Sequence, residues 1–252
     1  MTTALAIARL IRVRATMLGR LASLVVVAAV APPPAAAQVG PTAAEVARYA
    51  GLHAAAQRGD VGAIEAAAAS AAGTATGSRA MLEARDGNGR TPLHVATFAR
   101  QRAALLALLK AGANSAALDS DRYDAVTIAA VANDEETLRV LLANGASAKL
   151  TTSRYEGTAL IAAAHLGHDG VVRQLIAAGA PLDHVNNLHW TALIEAVVLG
   201  DGGPRHQACV RALLLAKANT QLTDREGRTP LQLARARGYR EIESLLVNAG
   251  AR

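Results

Sequence analysis

Thr91-Pro92-Leu93-His94-Val95-Ala96 is the stretch that decides the fold, because four related copies follow it along the chain. The copies begin at Asp124, Thr158, Thr191 and Thr229, so the steps between their starts are 33, 34, 33 and 38 residues. A second anchor keeps the same register at the other end of each unit, at Gly112-Ala113, Gly145-Ala146, Gly179-Ala180, Lys217-Ala218 and Gly250-Ala251. Internal repeats with a period of about 20–50 residues are typical of stacked repeat proteins, so the sequence predicts a solenoid of small units.

Each unit has the pattern of two short helices. Thr-Pro predicts a helix start, since proline lacks only a backbone donor that is unpaired in the first turn anyway. Paired aliphatic residues such as Leu108-Leu109 indicate a second helix, and the glycine after it suits the left-handed turn at a helix end. An earlier, irregular copy runs from Leu52 to Asp60 and carries eight extra residues within the stretch 70–80.

Two copies carry a fuller motif that points to a known family. Thr91–Ala96 and Asp224-Arg225-Glu226-Gly227-Arg228-Thr229-Pro230-Leu231 resemble the signature of the ankyrin-repeat family over roughly residues 43–252. The resemblance implies an all-α fold, an ankyrin-repeat solenoid of about six stacked helix-turn-helix units with projecting hairpin fingers. The expected units are 43–83, 84–116, 117–150, 151–183, 184–221 and 222–252. The resemblance also implies the usual function of the family, which is to bind another protein along the fingers and the inner helices.

Composition and charge argue against a nucleic-acid partner. The chain is 52% hydrophobic but only 2% aromatic, which suits thin Ala-rich helical layers. Its formal net charge is +6, yet the first 37 residues hold four arginines and no acidic residue, leaving 22 basic and 20 acidic side chains in the remainder. Without a basic face or interleaved aromatic residues, we expect no binding to nucleic acid.

Residues 1–37 are predicted to be an export signal peptide, with 38–42 as a short linker before the repeat domain. Arg20 precedes an apolar run from Leu21 to Val30, and Ala35-Ala36-Ala37 forms a small-residue cleavage site. A run of ten residues is too short to span a bilayer, which needs about 20. The sequence therefore predicts a monomeric periplasmic protein with no membrane insertion after cleavage, starting at either Met1 or Met17.

The copies differ most in the fingers, and the differences predict a binding surface. The pattern Asp-x-x-Gly-x-Thr is intact at Asp86–Thr91 and Asp224–Thr229, whereas the three central units replace its glycine by Arg122, Glu156 and His189. Three of the six aromatic residues lie on these central fingers, and rigid amphipathic rings are favoured at binding hot spots. The finger residues predicted to bind a protein partner are Asp121, Tyr123, Arg154, Tyr155, Leu188, His189 and Trp190. The alternative role of the rings is to fill gaps between irregular fingers.

The inner helices add three residues to this set. We expect Phe98 and His165 to contact the partner, because they hold positions that the family tends to expose on its concave side. Val131 and Val198 hold the same position, where sealing of adjacent helices is nearly as good an interpretation. Glu195, the last member, stands in a slot that is apolar in the other units. A carboxylate there is costly unless paired, so Glu195 is expected either to face the groove as a recognition charge or to lean out to water.

No catalytic motif is present, neither a Gly-x-Ser-x-Gly elbow nor a His-Glu-x-x-His helix nor a phosphate-binding loop. Five histidines within 165–206 raise the alternative of a small metal-dependent enzyme or metal sensor. However, the register puts His184 and His189 at the finger end and His168 and His206 at the opposite helix turns, about 12 Å away along an eight-residue helix. Zinc ligands lie only about 2 Å from the metal. We therefore expect a non-catalytic binding module with no metal and no cofactor.

Two further features have structural interpretations. Cys209, the single cysteine, takes the position of Ala104, so it is expected to be inert packing. Unit five carries five extra residues within Asp201–His206, whose Gly-Gly-Pro content predicts a loop at the turn between its helices. The loop is either a second binding edge or a tolerated surface insertion.

Overall fold

The computed structural model describes residues 39–71 and 75–252, and the predicted leader lies outside them. Within these residues a short first helix is followed by six pairs of helices, and one further helix lies between the first and second pairs. The helices are α1 Ala43–Val46, α2 Gly51–Arg58, α3 Val61–Ala71, α4 Ala75–Leu82, α5 Pro92–Phe98, α6 Arg102–Lys110, α7 Ala125–Val131, α8 Glu135–Ala143, α9 Ala159–His165, α10 Asp169–Ala177, α11 Ala192–Val198, α12 Pro204–Leu215, α13 Pro230–Arg237 and α14 Arg240–Asn248. The six pairs confirm the predicted solenoid.

The helices form two layers that share one core. The first helices of the pairs, which are the inner helices, contact one another in the order α2, α5, α7, α9, α11, α13. The second helices, which form the outer layer, contact one another in the order α3, α6, α8, α10, α12, α14. One leucine in the second helix of each of the last five pairs is fully buried between the layers, at Leu108, Leu141, Leu175, Leu213 and Leu246. The repeat spacing of 33 to 38 residues therefore places the same side chain at the same point of these five helix pairs.

The inner helices begin directly after a Thr or Asp that recurs from unit to unit, because these side chains cap them. Asp124 accepts a hydrogen bond from the Thr127 backbone N–H at 2.8 Å, and Thr191 accepts one from the Ile194 N–H at 3.2 Å. Such caps satisfy backbone donors that the first turn leaves unpaired. Thr229 is a cap of the same kind, with proline at the first helical position as the sequence predicts.

Hairpin fingers project between the pairs and are joined by backbone hydrogen bonds. The Ser120 N–H donates to the Asn88 carbonyl at 2.9 Å, and the Asn187 N–H donates to the Tyr155 carbonyl at 3.0 Å. In the fourth unit the finger contains two short antiparallel strands, β1 Thr151–Thr152 and β2 Gly157–Thr158. Neighbouring fingers thus form a continuous row along one edge of the stack.

The central fingers keep the left-handed turn even though they lack its glycine. Arg122, Glu156 and His189 have φ values of 65°, 54° and 64°, close to the 69° of Gly89. The same holds at the end of the fifth unit, where Lys217 has φ 71° in place of glycine. A side chain at positive φ costs backbone energy that glycine does not. The loss of glycine therefore changes what each finger presents and leaves the path of the backbone unchanged.

Lys217→Gly is expected to stabilise the protein by a few tenths to about 1 kcal/mol, because it relieves the left-handed strain. The free energy of unfolding in urea measures the effect. Gly145→Lys is the matched reverse change, since Gly145 has φ 87° at the equivalent position, and it should destabilise by a similar amount. A Lys217→Gly protein less stable than the parent would contradict the register of unit five.

The extra residues of the fifth unit form helix as well as loop. The prediction of a loop across Asp201–His206 is wrong beyond Gly203, because Pro204 begins α12 and lengthens it to 12 residues, against 9 in α10. Proline is favoured in the first turn of a helix as well as in loops. The insertion contacts the preceding unit, since His206 Nε2 lies 2.9 Å from the His165 carbonyl oxygen. Directly before the insertion, the Gly200 carbonyl accepts a hydrogen bond from the Tyr239 hydroxyl of the next unit at 2.9 Å.

Candidate protein-binding surface

In units three and five, one side-chain oxygen fixes the turn of the finger through two hydrogen bonds. In the third unit Asp119 Oδ1 accepts hydrogen bonds from the backbone N–H groups of Asp121 and Tyr123, at 3.0 and 2.9 Å. Asn186 Oδ1 does the same for Leu188 and Trp190, at 3.0 and 2.9 Å. Two bonds to one acceptor fix the short turn. The side chains predicted to meet the partner are consequently carried on ordered backbone.

Asp121 and Arg154 lie on adjacent fingers and form an ion pair. Arg154 Nη2 is 2.9 Å from Asp121 Oδ1, and the two side chains are 64% and 60% exposed. An exposed pair contributes about 0–1 kcal/mol to stability, so its main effect is to place opposite charges at the finger tips. His189, at the tip of the next finger, is also exposed. These three residues supply the polar border of the predicted surface.

The three aromatic residues of the central fingers are half-buried with their polar groups unused. Among residues 39–71 and 75–252, the hydroxyls of Tyr123 and Tyr155 and the indole N–H of Trp190 take part in no hydrogen bond. The other two tyrosines behave differently: the Tyr49 hydroxyl donates to Asp86 Oδ2 and that of Tyr239 donates to the Gly200 carbonyl, each at 2.9 Å. Burial and the Asp121 charge raise the pKa of Tyr123, so its hydroxyl stays protonated.

Trp190 has in part the space-filling role that the sequence offers as an alternative. Its ring packs against the buried core, while the residue itself is only partly buried. Leu188 on the same finger is also half-buried. Trp190 thus fills space between units and still presents part of its ring at the surface.

Glu195 does not lie at the surface, so both predicted positions for it are wrong. The residue is 5% exposed, and its Oε1 accepts a hydrogen bond from Asn186 Nδ2 at 2.8 Å. Its Oε2 lies 3.3 Å from Nδ1 of His165, whose own side chain is 25% exposed. The carboxylate is paired inside the protein, which is the condition under which its burial is tolerated. Of this pair, His165 is the more exposed member.

The Glu195–Asn186 contact could have been found in the sequence. Fingers two, three and six have aspartate where unit five has Asn186, and the matching helices have Val95, Ile128 and Leu233 where unit five has Glu195. Both departures fall in one unit because an amide can donate to a buried carboxylate, whereas aspartate would place a second negative charge against it. The two substitutions compensate each other.

Asn186→Asp is expected to lower the free energy of unfolding by about 1–2 kcal/mol, since it removes a donor from a buried carboxylate. Adding Glu195→Val recreates the Asp86/Val95 pair of unit two and should recover most of that loss. A double-mutant cycle measured by urea unfolding isolates the coupling. If the two changes are simply additive, the compensation is contradicted.

Phe98 lies in a different setting from the central residues. The Arg90 guanidinium carbon is 5.3 Å from the centre of the Phe98 ring, and an added Cβ at Gly40 would be 3.4 Å from its Cδ1. Arg90 Nη2 also donates to the Val39 carbonyl at 2.7 Å. The described part of the predicted 38–42 linker therefore packs against unit two, and it covers part of a side chain that the sequence assigns to the partner.

Three histidines form hydrogen bonds between a ring nitrogen and a backbone carbonyl of a neighbouring unit. His94 Nε2 lies 3.1 Å from the Tyr123 carbonyl oxygen, and His168 Nδ1 lies 3.0 Å from that of Ala130. His184 Nε2 lies 2.6 Å from the Glu156 carbonyl oxygen. Within the part of the chain that the structure describes, no three His, Cys, Asp or Glu side chains are grouped to hold a metal ion. Cys209 is fully buried, which raises the pKa of its thiol to about 12.

The buried His94 predicts a stability that falls in mild acid. Burial lowers its pKa, and its Nδ1 accepts from the Thr91 N–H, so the folded state holds the neutral ring. The unfolded state binds a proton near pH 6.5. Stability is then fully present above about pH 6.5 and is lost as the pH falls towards the folded-state pKa. We expect the free energy of unfolding to decrease between pH 7.5 and 5, and His94→Gln to reduce that slope; an unchanged slope would contradict the assignment.

The described helices also bear on membrane contact. No helix among residues 39–71 and 75–252 is both long enough and apolar enough to cross a membrane.

Paired helices with projecting fingers define a stacked helical repeat protein, and comparison with known proteins identifies its family. A family model described as ankyrin repeats (3 copies) matches residues 126–224, and one described as ankyrin repeat matches 88–120. The chain is 38% identical over 167 residues to the putative ankyrin repeat protein YahD of Escherichia coli strain K12, which covers 66% of this chain and 83% of YahD.

Solved structures show the same fold. An ankyrin repeat domain from Acinetobacter baumannii is 46% identical, with a TM-score of 0.71 over 80% of this chain and 98% of that one. The ankyrin repeat domain of Bcl-3, described as a member of the IkappaB protein family, is 27% identical with a TM-score of 0.72 over 81% and 88% of the two chains. The chain belongs to the ankyrin-repeat family, whose repeats are modules for protein–protein interaction.

Proposed function

We propose that this protein is a non-catalytic module that binds a segment of a protein partner along the fingers of units three to five. One observation carries the proposal. Tyr123, Tyr155 and Trp190 are half-buried on successive fingers, and their polar groups bond to no other residue in the part of the chain that the structure describes, while Tyr49 and Tyr239 have theirs bonded internally. Buried or bound tyrosine and tryptophan side chains normally find hydrogen-bond partners, so the unbonded three are available to another molecule.

Other exposed groups of the central units suit a partner that is apolar with a polar edge. Leu166, directly after α9, and Val185, before finger five, are large apolar side chains, 39% and 43% exposed. The Asp121–Arg154 pair adds both signs of charge at the finger tips. A central apolar patch with a polar rim is the usual arrangement of protein interfaces. His165 contributes a ring positioned by the buried Glu195.

Site-directed photo-crosslinking in cells tests the proposal. A photoreactive amino acid replaces Tyr155 in one variant and Arg211 in a control; Arg211 is exposed on α12, in the outer helical layer. We expect a discrete crosslinked protein from position 155 and none from position 211. Equal capture at both positions, or capture from 211 alone, would contradict the proposed surface.

We further propose that the protein acts in the periplasm as a monomer after removal of residues 1–37. The support is the sequence alone: Arg20, the apolar run 21–30 and Ala35–Ala37 before Gln38. N-terminal sequencing of the native protein should begin at or near Gln38. A cytoplasmic product that retains Arg20 would contradict export.

A further inference from the structure

An N-terminal arm, residues 39–46, lies on the finger and inner helix of unit two. Arg90 Nη2 donates to the Val39 carbonyl at 2.7 Å, and Gly40 lies against the Phe98 ring. Glu45 Oε2 is 3.7 Å from Arg90 Nη1, and its other oxygen accepts a hydrogen bond from Asn88 Nδ2. Hydrogen bonding with Thr42, whose backbone N–H donates to Glu45 Oε2 at 2.6 Å, the Asn88 hydrogen bond and the Arg90 charge lower the pKa of Glu45 to about 2, so the arm carries a carboxylate at every physiological pH.

The arm occupies positions that correspond to the proposed partner surface. Arg90 immediately precedes the first residue of its inner-helix motif, as Tyr123 and Trp190 do in units three and five. Phe98 holds the inner-helix position of His165. The arm therefore contacts, in unit two, the finger and inner-helix positions that are proposed to contact a partner in the central units.

The arm is lightly held. No residue of α1 is buried, and Val39 is 67% exposed. Beneath the arm, the side chain of Arg90 is only 8% exposed, and its Nη1 lies 3.7 Å from Glu45 Oε2 and 3.9 Å from Asp86 Oδ2. Among residues 39–71 and 75–252, neither Nη1 nor Nε has an acceptor within hydrogen-bond distance. Unsatisfied buried donors are costly, and a guanidinium is matched best by a carboxylate that accepts two parallel bonds. The carbonyl of Val39 satisfies only one donor.

We propose that the arm occupies a ligand-binding site from which it can be displaced, and that this site binds an extended acidic peptide segment. The segment's carboxylate would accept from the two free donors of Arg90, and an adjacent apolar group would cover Phe98 in place of Gly40. The inference rests on the proposed function in placing this segment in the same groove. Its test uses no natural partner, so the two proposals can fail separately.

The arm's own sequence supplies the probe. A synthetic peptide of residues 39–46, acetylated and amidated, is titrated to about millimolar concentration, the range of a tethered segment, into isotope-labelled protein while the amide signals of units two to six are followed by NMR. Glu45→Gln in the protein weakens the arm, so the peptide should bind about tenfold more tightly than to the parent, as expected for loss of one charge-assisted contact. Glu241→Gln, on the exposed face of α14, is the matched control and should change nothing.

Arg90 decides the outcome. In the Glu45→Gln background, Arg90→Gln should remove the gain, and a peptide with glutamine in place of its glutamate should bind about tenfold more weakly. Should Arg90→Gln unfold the protein, Arg90→Lys keeps the charge but not the two-pronged geometry, and the same loss is expected. No gain with Glu45→Gln, or full binding without the Arg90 side chain, would overturn the inference. Either result could occur with crosslinking at Tyr155 intact, which would leave the proposed function standing.

Discussion

Leu141→Ala is expected to lower the free energy of unfolding by about 2–5 kcal/mol, the largest stability change predicted for a single residue here. Leu141 is fully buried in α8, between the two helical layers. Its truncation removes apolar contact and leaves a cavity that rigid neighbouring units cannot fill completely. In a stack of repeats, a defect in a central unit also weakens the interfaces on both of its sides.

Urea unfolding followed by circular dichroism measures this loss. Leu215→Ala is the matched control, because it deletes the same atoms from a leucine that is 76% exposed at the end of α12. Its effect should stay within about 0.5 kcal/mol, as for most surface substitutions. Equal losses at Leu141 and Leu215 would show that the core has been placed wrongly.

Truncating the aromatic residues of the central fingers is expected to have the second large effect, on binding. Tyr123→Ala, Tyr155→Ala and Trp190→Ala should each weaken the affinity for the captured partner by at least about 1 kcal/mol, as hot-spot truncations do. If the three effects add, the triple variant should bind more than about a hundredfold more weakly. Trp190 also packs against the core, so its variant alone should lose measurable stability as well.

The controls for binding come from the terminal unit. Arg235 and Arg237 are exposed on α13, and Arg235 pairs with Glu243 at 2.7 Å. Their alanine variants should leave affinity nearly unchanged, with unfolding midpoints recorded in parallel for every protein. If these arginine changes abolish binding while the three aromatic changes do not, the charged end of the stack is the binding face.

The fold could be predicted from the sequence because repeats report on one another. A buried leucine recurs before each left-handed turn, from Leu108 to Leu246, since every unit must meet the same two neighbours. The turn at Lys217 follows from register alone, although lysine does not favour its conformation. Repetition thus located features that single-residue preferences would miss.

The site was less predictable because its details depend on contacts between departures from the pattern. Considered alone, Glu195 is a charge in an apolar slot, and its contacts with Asn186 and His165 explain its burial. Phe98 holds an exposed position in the family pattern, yet Gly40 packs on it from a segment outside the repeats. The end of the insertion forms helix because Pro204 suits a first helical turn as well as a loop. Local sequence does not record such long-range partners.

Hydrogen–deuterium exchange of the protein with and without its captured partner tests the central claim most directly. The backbone amides of the central fingers, residues 119–123, 153–156 and 186–190, are expected to exchange more slowly in the complex, together with the ends of α7, α9 and α11. The amides of the outer helices, α8, α10 and α12, should exchange at unchanged rates. Protection confined to the outer helices or to 224–240, with the central fingers unaffected, would contradict the account.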